Sequence, residues 1–510
     1  VPVPLGETLT LEDVVAVARG TGVELREGAR RRVEAARRVI DAVVERGATV
    51  YGVTTGFGAL ADVRIEPSRA AALQHAIVRS HATAVGPPLS RSEARAMLLL
   101  RAHVLALGHS GVRPEVVDLM VAMLNADVIP AVPEQGSLGA SGDLAPLAHL
   151  ALPLIGGGEV LAGDGPATVP AADELARAGL APLALDAKEG LALVNGTQGM
   201  LAIGILASDR LARLATTADV VAAMSVEASL GTDAPFDERL QRLRPHPGQV
   251  ASAANLRALL DGSPILASHR DSAHLVQDAY SLRCVPQVHG AARDALAYAR
   301  GVMEIEANAV SDNPIVLPDD DEVRSGGNFH GQPVATALDA LALATVPLAG
   351  IAERRLYRLL DPKLSNGLPA FLVSESGLNS GLMLAQYTAA SLVSESKSLA
   401  HPASVDSITS SAGQEDHVSM GMTAARHARD VIANAETVVG LEVIAAAQAL
   451  DLRAPLEPAA ATGAARDRVR EDVRFLDEDR ELGPDIRAAA ALVRSGALID
   501  AARRVAGDLG

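Results

Sequence analysis

The chain has 510 residues, long enough to bury a large core and to fold as two or more structural regions. Its formal charge of −17, from 62 acidic against 45 basic residues with no basic block, argues against nucleic acid as a partner, and its longest uncharged apolar stretch, near Ala340 to Ala352 and containing Pro347, is short of the roughly 20 residues a membrane crossing needs. A single cysteine, Cys284, excludes disulfides within the chain and thiolate-rich metal sites, and no signal-like segment opens the sequence, so a soluble protein of the reducing cytoplasm is expected.

Thr10 and Asp13 mark the start of a first helix through "VVAVARG", a capping-box pair with Asp in place of the usual Glu. "RRRVEAARRVIDAVVERG" and "SRSEARAMLLLRAHVLALGHSG" carry apolar residues at three- and four-residue spacing and stop at Gly47 and Gly108, which predicts two further helices. Between them "TVYGVTTGFGAL" is too broken by glycine for a helix and reads as a loop. In "EQGSLGASGDLAPLAHLALPLIGGG", Ala140-Ser141-Gly142 precede a helix that has Asp143 as its expected N-cap, Pro146 in its first turn and its end at Gly156. "GGGEVLAGDGPATVP" suggests one short hairpin, and helix resumes near "ADELARAGL".

From about Gly199 the pattern changes to Ala-rich helices of roughly 20 to 35 residues that are apolar nearly all round, among them "VATALDALALATVPLAGIAERRLYRLL" and "HVSMGMTAARHARDVIANAETVVGLEVIAAAQAL". With aromatics at 2% and no Trp, Ala, Leu and Val must fill the core, which suits closely approaching helices. The predicted fold is mainly α. Residues 1–198 form an N-terminal, mostly helical domain that carries the glycine-rich loops. Residues 199–510 form a bundle of long helices with the loops "RPHPGQ", "LPDDDEVRSGGNFHGQP" and "SSAGQEDH" at its ends and a peripheral helical tail after Pro455.

Only three of the basic residues are lysines, Lys188, Lys363 and Lys397, which leaves a Schiff-base mechanism few candidates. The helix N-terminus behind Ala140-Ser141-Gly142 favours anions and would sharpen an electrophile beside it, although a plain capped loop fits the triplet as well. Taken singly, Tyr51 fits packing in a glycine loop as well as a catalytic base, Asn195-Gly196 fits a turn, and His81 and Glu415 fit a core histidine and a helix-start charge.

Taken together the motifs say more. "GSLGASGDLAPLAHL" resembles the signature of the ammonia-lyase and aminomutase family in which Ala-Ser-Gly cyclises into a methylidene-imidazolone (MIO) prosthetic group. "YGVTTGFG", "LVNGTQGM", "QDAYSLRCVPQ", "GNFHGQP", "SGLMLAQY" and "QEDHVSMG" are similar to further motifs of that family, in family order, between Tyr51 and Gly421. The resemblance implies an electrophile made from Ala140, Ser141 and Gly142, with no metal and no external cofactor. It implies Tyr51 as the base that removes the β-proton, and Arg283 as a bidentate partner of the substrate carboxylate. Tyr280, Gln277 and Asn195 would hydrogen-bond the amine, the carboxylate or the prosthetic group, and Phe329 would pack against its ring. It also implies a homotetramer whose active sites combine loops of several subunits.

Ser80-His81 and Gln414-Glu415-Asp416 are similar to the histidine ammonia-lyases of this family, whereas phenylalanine enzymes have an apolar pair and Asn-Gln-Asp. A carboxylate at Glu415 can accept an imidazole N–H, and a hydrocarbon ring would leave it desolvated and unpaired; His81 and Met383 would complete the pocket. The resemblance thus implies non-oxidative deamination of L-histidine to trans-urocanate and ammonia, with a tyrosine or phenylalanine ammonia-lyase or aminomutase of the same family as the alternative. Two departures bear on this. Thr54 stands where many members have Asn and where tyrosine-processing relatives such as aminomutases have Thr, and "SHATAVG" lacks the first Gly of the common motif. The fumarase and aspartase class shares long helices and ammonia elimination, but its Ser-Ser-x-Met-Pro-x-Lys loop is absent.

Overall fold

The computed structural model describes residues 1–272 and 276–510. Among them twenty α-helices alternate with four two-stranded sheets whose strands are three or four residues long. The chain forms two compact units, one of residues 1–206, 300–339 and 402–426, the other of residues 207–299, 340–401 and 427–510.

The first unit opens on the helix Leu11–Ala18. The Thr10 hydroxyl accepts the Asp13 N–H, and the Asp13 carboxylate accepts the Thr10 N–H, each at 3.0 Å, as the capping pair predicts. The helix Glu27–Glu45 turns Ala36, Val39, Ile40 and Val43 into a core shared with Val53, Ala70, Ala187 and Val316. The helix Arg91–Ala106 is buried from residue 93 to its end, not along one face as its spacing suggests. Its charged side chains therefore need internal partners. Arg95 donates to the Val17 carbonyl and to Asp127, and Arg101 donates to the Asn195 carbonyl and to Gln198. Burial pulls His103 down to about 4, so it sits neutral and accepts the Gly6 N–H.

The expected hairpin is present as Glu159–Leu161 paired antiparallel with Thr168–Pro170. Three other ribbons escape a reading of the sequence, because three-residue strands are too short to show alternation. They are Val3–Leu5 with Val23–Leu25 in parallel, and Val85–Pro88 with Pro133–Gln135 and Ile315–Leu317 with Glu322–Arg324, both antiparallel.

The long helices are Gln198–Ala228, Val285–Ala307, Gln332–Leu360 and Gly421–Asp451, and they bear out the expected bundle. The helix Gln332–Leu360 continues through Pro347. By length and composition it could cross a membrane, contrary to the count from sequence, but 56% of its apolar window is buried inside the protein. In the second unit buried charges are met by partners of the same unit. Arg355 grips Glu442 at 2.6 and 2.8 Å, and Asp219 accepts hydrogen bonds from Ser252, Asn255 and Arg293. "RPHPGQ" is not a free loop. Pro247 occupies the first turn of the helix Pro247–Leu260, where its missing N–H costs little. After Pro455 the expected helical tail is the helices Ala460–Asp472, Gly483–Ser495 and Ala497–Ala506.

Candidate active site

Ala140-Ser141-Gly142 form a tight turn ahead of the helix Leu144–Ala151, with Ser141 at φ +52° and Gly142 at φ +78°. The Ser141 carbonyl accepts the Gly196 N–H at 3.3 Å, and the Gly196 carbonyl accepts the Asp143 N–H at 2.7 Å. A Cβ on residue 142 would lie 2.0 Å from the Gly196 oxygen, so only glycine fits this approach. Asp143 holds the N-cap position, but its carboxylate does not cap its own helix. It accepts the Ser137 hydroxyl at 2.9 Å and the Met200 N–H at 2.8 Å, so it caps the helix Gln198–Ala228 instead. Complete burial outweighs these donors and pushes its carboxyl up to about 6.

The loop from Gly47 to Ile65 presents Tyr51, whose hydroxyl accepts the Gly58 N–H at 3.1 Å and whose ring meets Phe57 edge-on at 6.4 Å. Burial holds the phenol above its ordinary value; the Gly58 N–H opposes that shift and the Glu415 charge adds to it. Thr54 does not face the cleft described below. It is 3% exposed, and its hydroxyl donates to the Ala48 carbonyl at 2.7 Å and accepts the Val50 N–H at 2.9 Å. Its departure from the family pattern therefore acts on the shape of the loop, not on a substrate.

His81 ends the helix Ala70–His81, with its Nδ1 3.0 Å from the Ser80 hydroxyl. Burial lowers its pKa, against the pull of the Ile77 carbonyl and the Glu415 charge, which keeps the ring neutral at neutral pH. Glu415 sits on a turn closed by backbone hydrogen bonds in both directions with Ser410, and the Ser410 hydroxyl donates to one of its carboxylate oxygens at 3.1 Å. Asn195 follows the helix Glu189–Val194. Its carbonyl accepts from Arg101 at 2.6 Å, while its buried Oδ1 has no partner among the described residues. Arg101 is fully buried and desolvation pulls it down to about 10, so it remains charged.

These residues share one cleft of about 540 Å³, lined by Tyr51, His81, Ser141, Asn195 and Glu415 with an apolar wall that includes Leu144 and Leu191. Its partners converge from residue 51 to residue 415, all within the first unit. Phe329, in the turn before the helix Gln332–Leu360, is half-buried and does not line it. Neither do the four residues of the second unit singled out by sequence. Gln277 and Arg283 line a separate groove, in which the Arg283 Nε donates to the Asp278 carbonyl at 2.9 Å. The Arg283 guanidinium lies 4.6 Å above the ring of Tyr280, which is 71% exposed. Met383 heads the helix Met383–Leu399 and lines a third cleft with Tyr357, Phe371 and Tyr387. A reading of the sequence misses Ser410, Ser411 and Arg101, which touch the functional residues through contacts that no local pattern announces.

The sequence matches the family model described as aromatic amino acid lyase over residues 9–471. A histidine ammonia-lyase of Anaeromyxobacter sp. (strain K) is 57% identical over 500 residues, which cover 97% of this chain and 98% of that protein. One of Symbiobacterium thermophilum is 55% identical, with 99% of each covered. Among solved structures, a tyrosine aminomutase from Streptomyces globisporus matches with a TM-score of 0.94 at 40% identity, covering 100% of both chains. A histidine ammonia-lyase from Trypanosoma cruzi matches with a TM-score of 0.91 at 43% identity, covering 99% of this chain and 96% of that one.

Proposed function

This chain belongs to the aromatic amino acid lyase family, and on that premise we propose that it deaminates L-histidine without oxidation, to trans-urocanate and ammonia. The observation that carries the choice of histidine is that Glu415 and His81 line the same cleft as Tyr51 and Ser141. The relatives named above as histidine ammonia-lyases support it at higher identity than the tyrosine aminomutase.

Ala140, Ser141 and Gly142 fit the MIO group that the family implies. The missing Cβ of Gly142 leaves room against Gly196, Ser141 lines the cleft, and Asn195 brings an unpartnered buried oxygen to its wall. Once formed, the group supplies an electrophilic methylidene carbon that turns the substrate amine into a leaving group, without lysine, metal or added cofactor. The chain's own residues do the rest. Glu415 accepts an imidazole N–H and so sets the side chain's depth, with neutral His81 beside it. The Asn195 Oδ1 accepts from the substrate amine. Tyr51 takes the β-proton from its phenolate form, which burial disfavours and the Gly58 N–H favours; the electron pair of that C–H bond becomes the Cα–Cβ double bond, the C–N bond breaks, and its pair leaves with nitrogen as ammonia.

The working assembly is a homotetramer in the cytoplasm, with Gln277, Tyr280, Arg283, Phe329 and Met383 of neighbouring copies completing each site. Arg283 clamps the substrate carboxylate with its planar guanidinium, Tyr280 and Gln277 hydrogen-bond the bound substrate, and Phe329 packs on the prosthetic ring. Within each copy, residues 1–198 carry the base loop and the prosthetic-group loop, and residues 199–510 carry the substrate loops. The reading of shared sites rests on the resemblance of the motifs that carry these residues to those of the family.

Incubating the purified protein with L-histidine tests the reading, with urocanate followed by its absorbance, ammonia by a coupled assay and the intact mass by mass spectrometry. The expected result is equimolar urocanate and ammonia from a chain two waters lighter than its sequence. A chain with that deficit but no urocanate would refute the substrate, and full activity in Ser141→Ala would refute the prosthetic group.

A further inference from the structure

Glu415 and Tyr51 are joined by more than a shared cleft. Ser411 and Ala412, next along from Ser410, hold φ of +49° and +52°, a region that side-chain-bearing residues seldom adopt. Ser411 directs its hydroxyl at the base loop, where it accepts the Ala59 N–H at 3.1 Å. The preceding Gly58 donates its N–H to the Tyr51 hydroxyl at 3.1 Å, and a Cβ on Gly58 would lie 2.5 Å from the Ser411 oxygen. On the other side, Ser410 pairs its backbone with Glu415 and donates its hydroxyl to the carboxylate. A continuous chain of short contacts thus runs Glu415–Ser410–Ser411–Ala59–Gly58–Tyr51.

We propose that the Ser410-Ser411 turn is a positioning clamp that couples recognition of the substrate side chain at Glu415 to placement of the base at Tyr51. The proposal rests on the histidine reading above. Ser410 occupies one carboxylate oxygen and thereby orients the other toward an incoming imidazole N–H. Ser411 fixes the Gly58-Ala59 backbone, and with it the donor that stabilises the Tyr51 phenolate. A substrate that pulls on Glu415 therefore adjusts the hydrogen bond made to the base, and one that makes no such contact leaves the clamp slack. Neither serine touches substrate; both act through their neighbours.

A double-mutant cycle tests this with Ser411→Gly, which suits the positive φ and removes the hydroxyl together with its Cβ, and Glu415→Gln. Ser411→Gly is expected to lower kcat for L-histidine about tenfold, with KM within about twofold, and to move the rising limb of the kcat/KM pH profile upward by about half a unit to one unit. Ser411→Ala guards against a Gly effect on loop entropy and is expected to move the same limb the same way. In the double variant the loss in kcat/KM is expected to be several-fold smaller than the product of the single losses. An unmoved limb, or a double loss equal to that product, overturns the clamp. The pH profile can be recorded on whichever of L-histidine and L-tyrosine the wild type converts. A wild type that converts only L-tyrosine would refute the histidine reading, while the limb would still decide whether Ser411 positions Tyr51.

Discussion

Gly142→Ala is the sharpest probe of the turn proposed to carry the chemistry. The added Cβ would stand 2.0 Å from the Gly196 oxygen and 2.5 Å from its carbonyl carbon, against an ordinary contact of at least 3.4 Å, so the backbone there must move by about 1.4 Å. That movement breaks the hydrogen bond from Asp143 to Gly196 and the one from Gly196 to Ser141. Two buried backbone bonds at about 1–3 kcal/mol each, with about 1–2 kcal/mol for a side chain at φ +78°, give a loss of about 3–8 kcal/mol. Gly163→Ala is the matched control, because Gly163 has φ +81° but nothing within 4 Å, so only the conformational part of about 1–2 kcal/mol applies. Urea unfolding measures both losses, and intact mass reads the chemistry. Gly142→Ala is expected to have the mass its sequence encodes, and Gly163→Ala to keep the two-water deficit. Equal stability losses, with the deficit retained in Gly142→Ala, would refute the reasoning.

Three more outcomes follow from the same structure. In Glu415→Gln the charged acceptor becomes neutral, so kcat/KM for L-histidine is expected to fall about 10- to 100-fold while turnover of L-tyrosine does not fall; equal losses on both substrates would contradict the assignment. Folding raises the Tyr51 pKa, so its contribution to stability is fully present below the ordinary phenol value and is lost as pH rises through the folded value. Tyr51→Phe is therefore expected to unfold at a higher pH than wild type in alkaline titrations followed by circular dichroism, while losing at least about a thousandfold in kcat. Lys188 and Asp312 are both fully buried and 2.9 Å apart, so Lys188→Met alone is expected to lower stability by about 3–5 kcal/mol in urea, and Lys188→Met with Asp312→Leu to recover most of that loss.

Much of the fold was legible because its cues are local. Thr10 with Asp13, the glycine stops at Gly47 and Gly108, and the Ala-rich runs after Gly199 all act within a few residues of where they are read. The Ala140-Ser141-Gly142 loop was legible for another reason, the resemblance of its motif to the family's, since the triplet alone fits a plain capped loop as well. What stayed hidden depends on distant partners. The Asp143 carboxylate caps a helix that begins more than fifty residues later, and Ser411 reaches Ala59 across 352 positions. Thr54 was conspicuous by its departure from family pattern, yet its hydroxyl is spent on Ala48 and Val50 within its own loop. The expected end loop "RPHPGQ" instead holds the start of a helix at Pro247.

The central claim is that Glu415 selects an imidazole for the base at Tyr51. Competition between equal concentrations of L-histidine and L-tyrosine tests it most directly, with both conjugated acids quantified from one reaction as the ratio of kcat/KM. A ratio favouring urocanate by at least about 100-fold in wild type, collapsing in Glu415→Gln, is the expected result. A wild-type ratio near one, or one favouring the tyrosine product, would contradict the account.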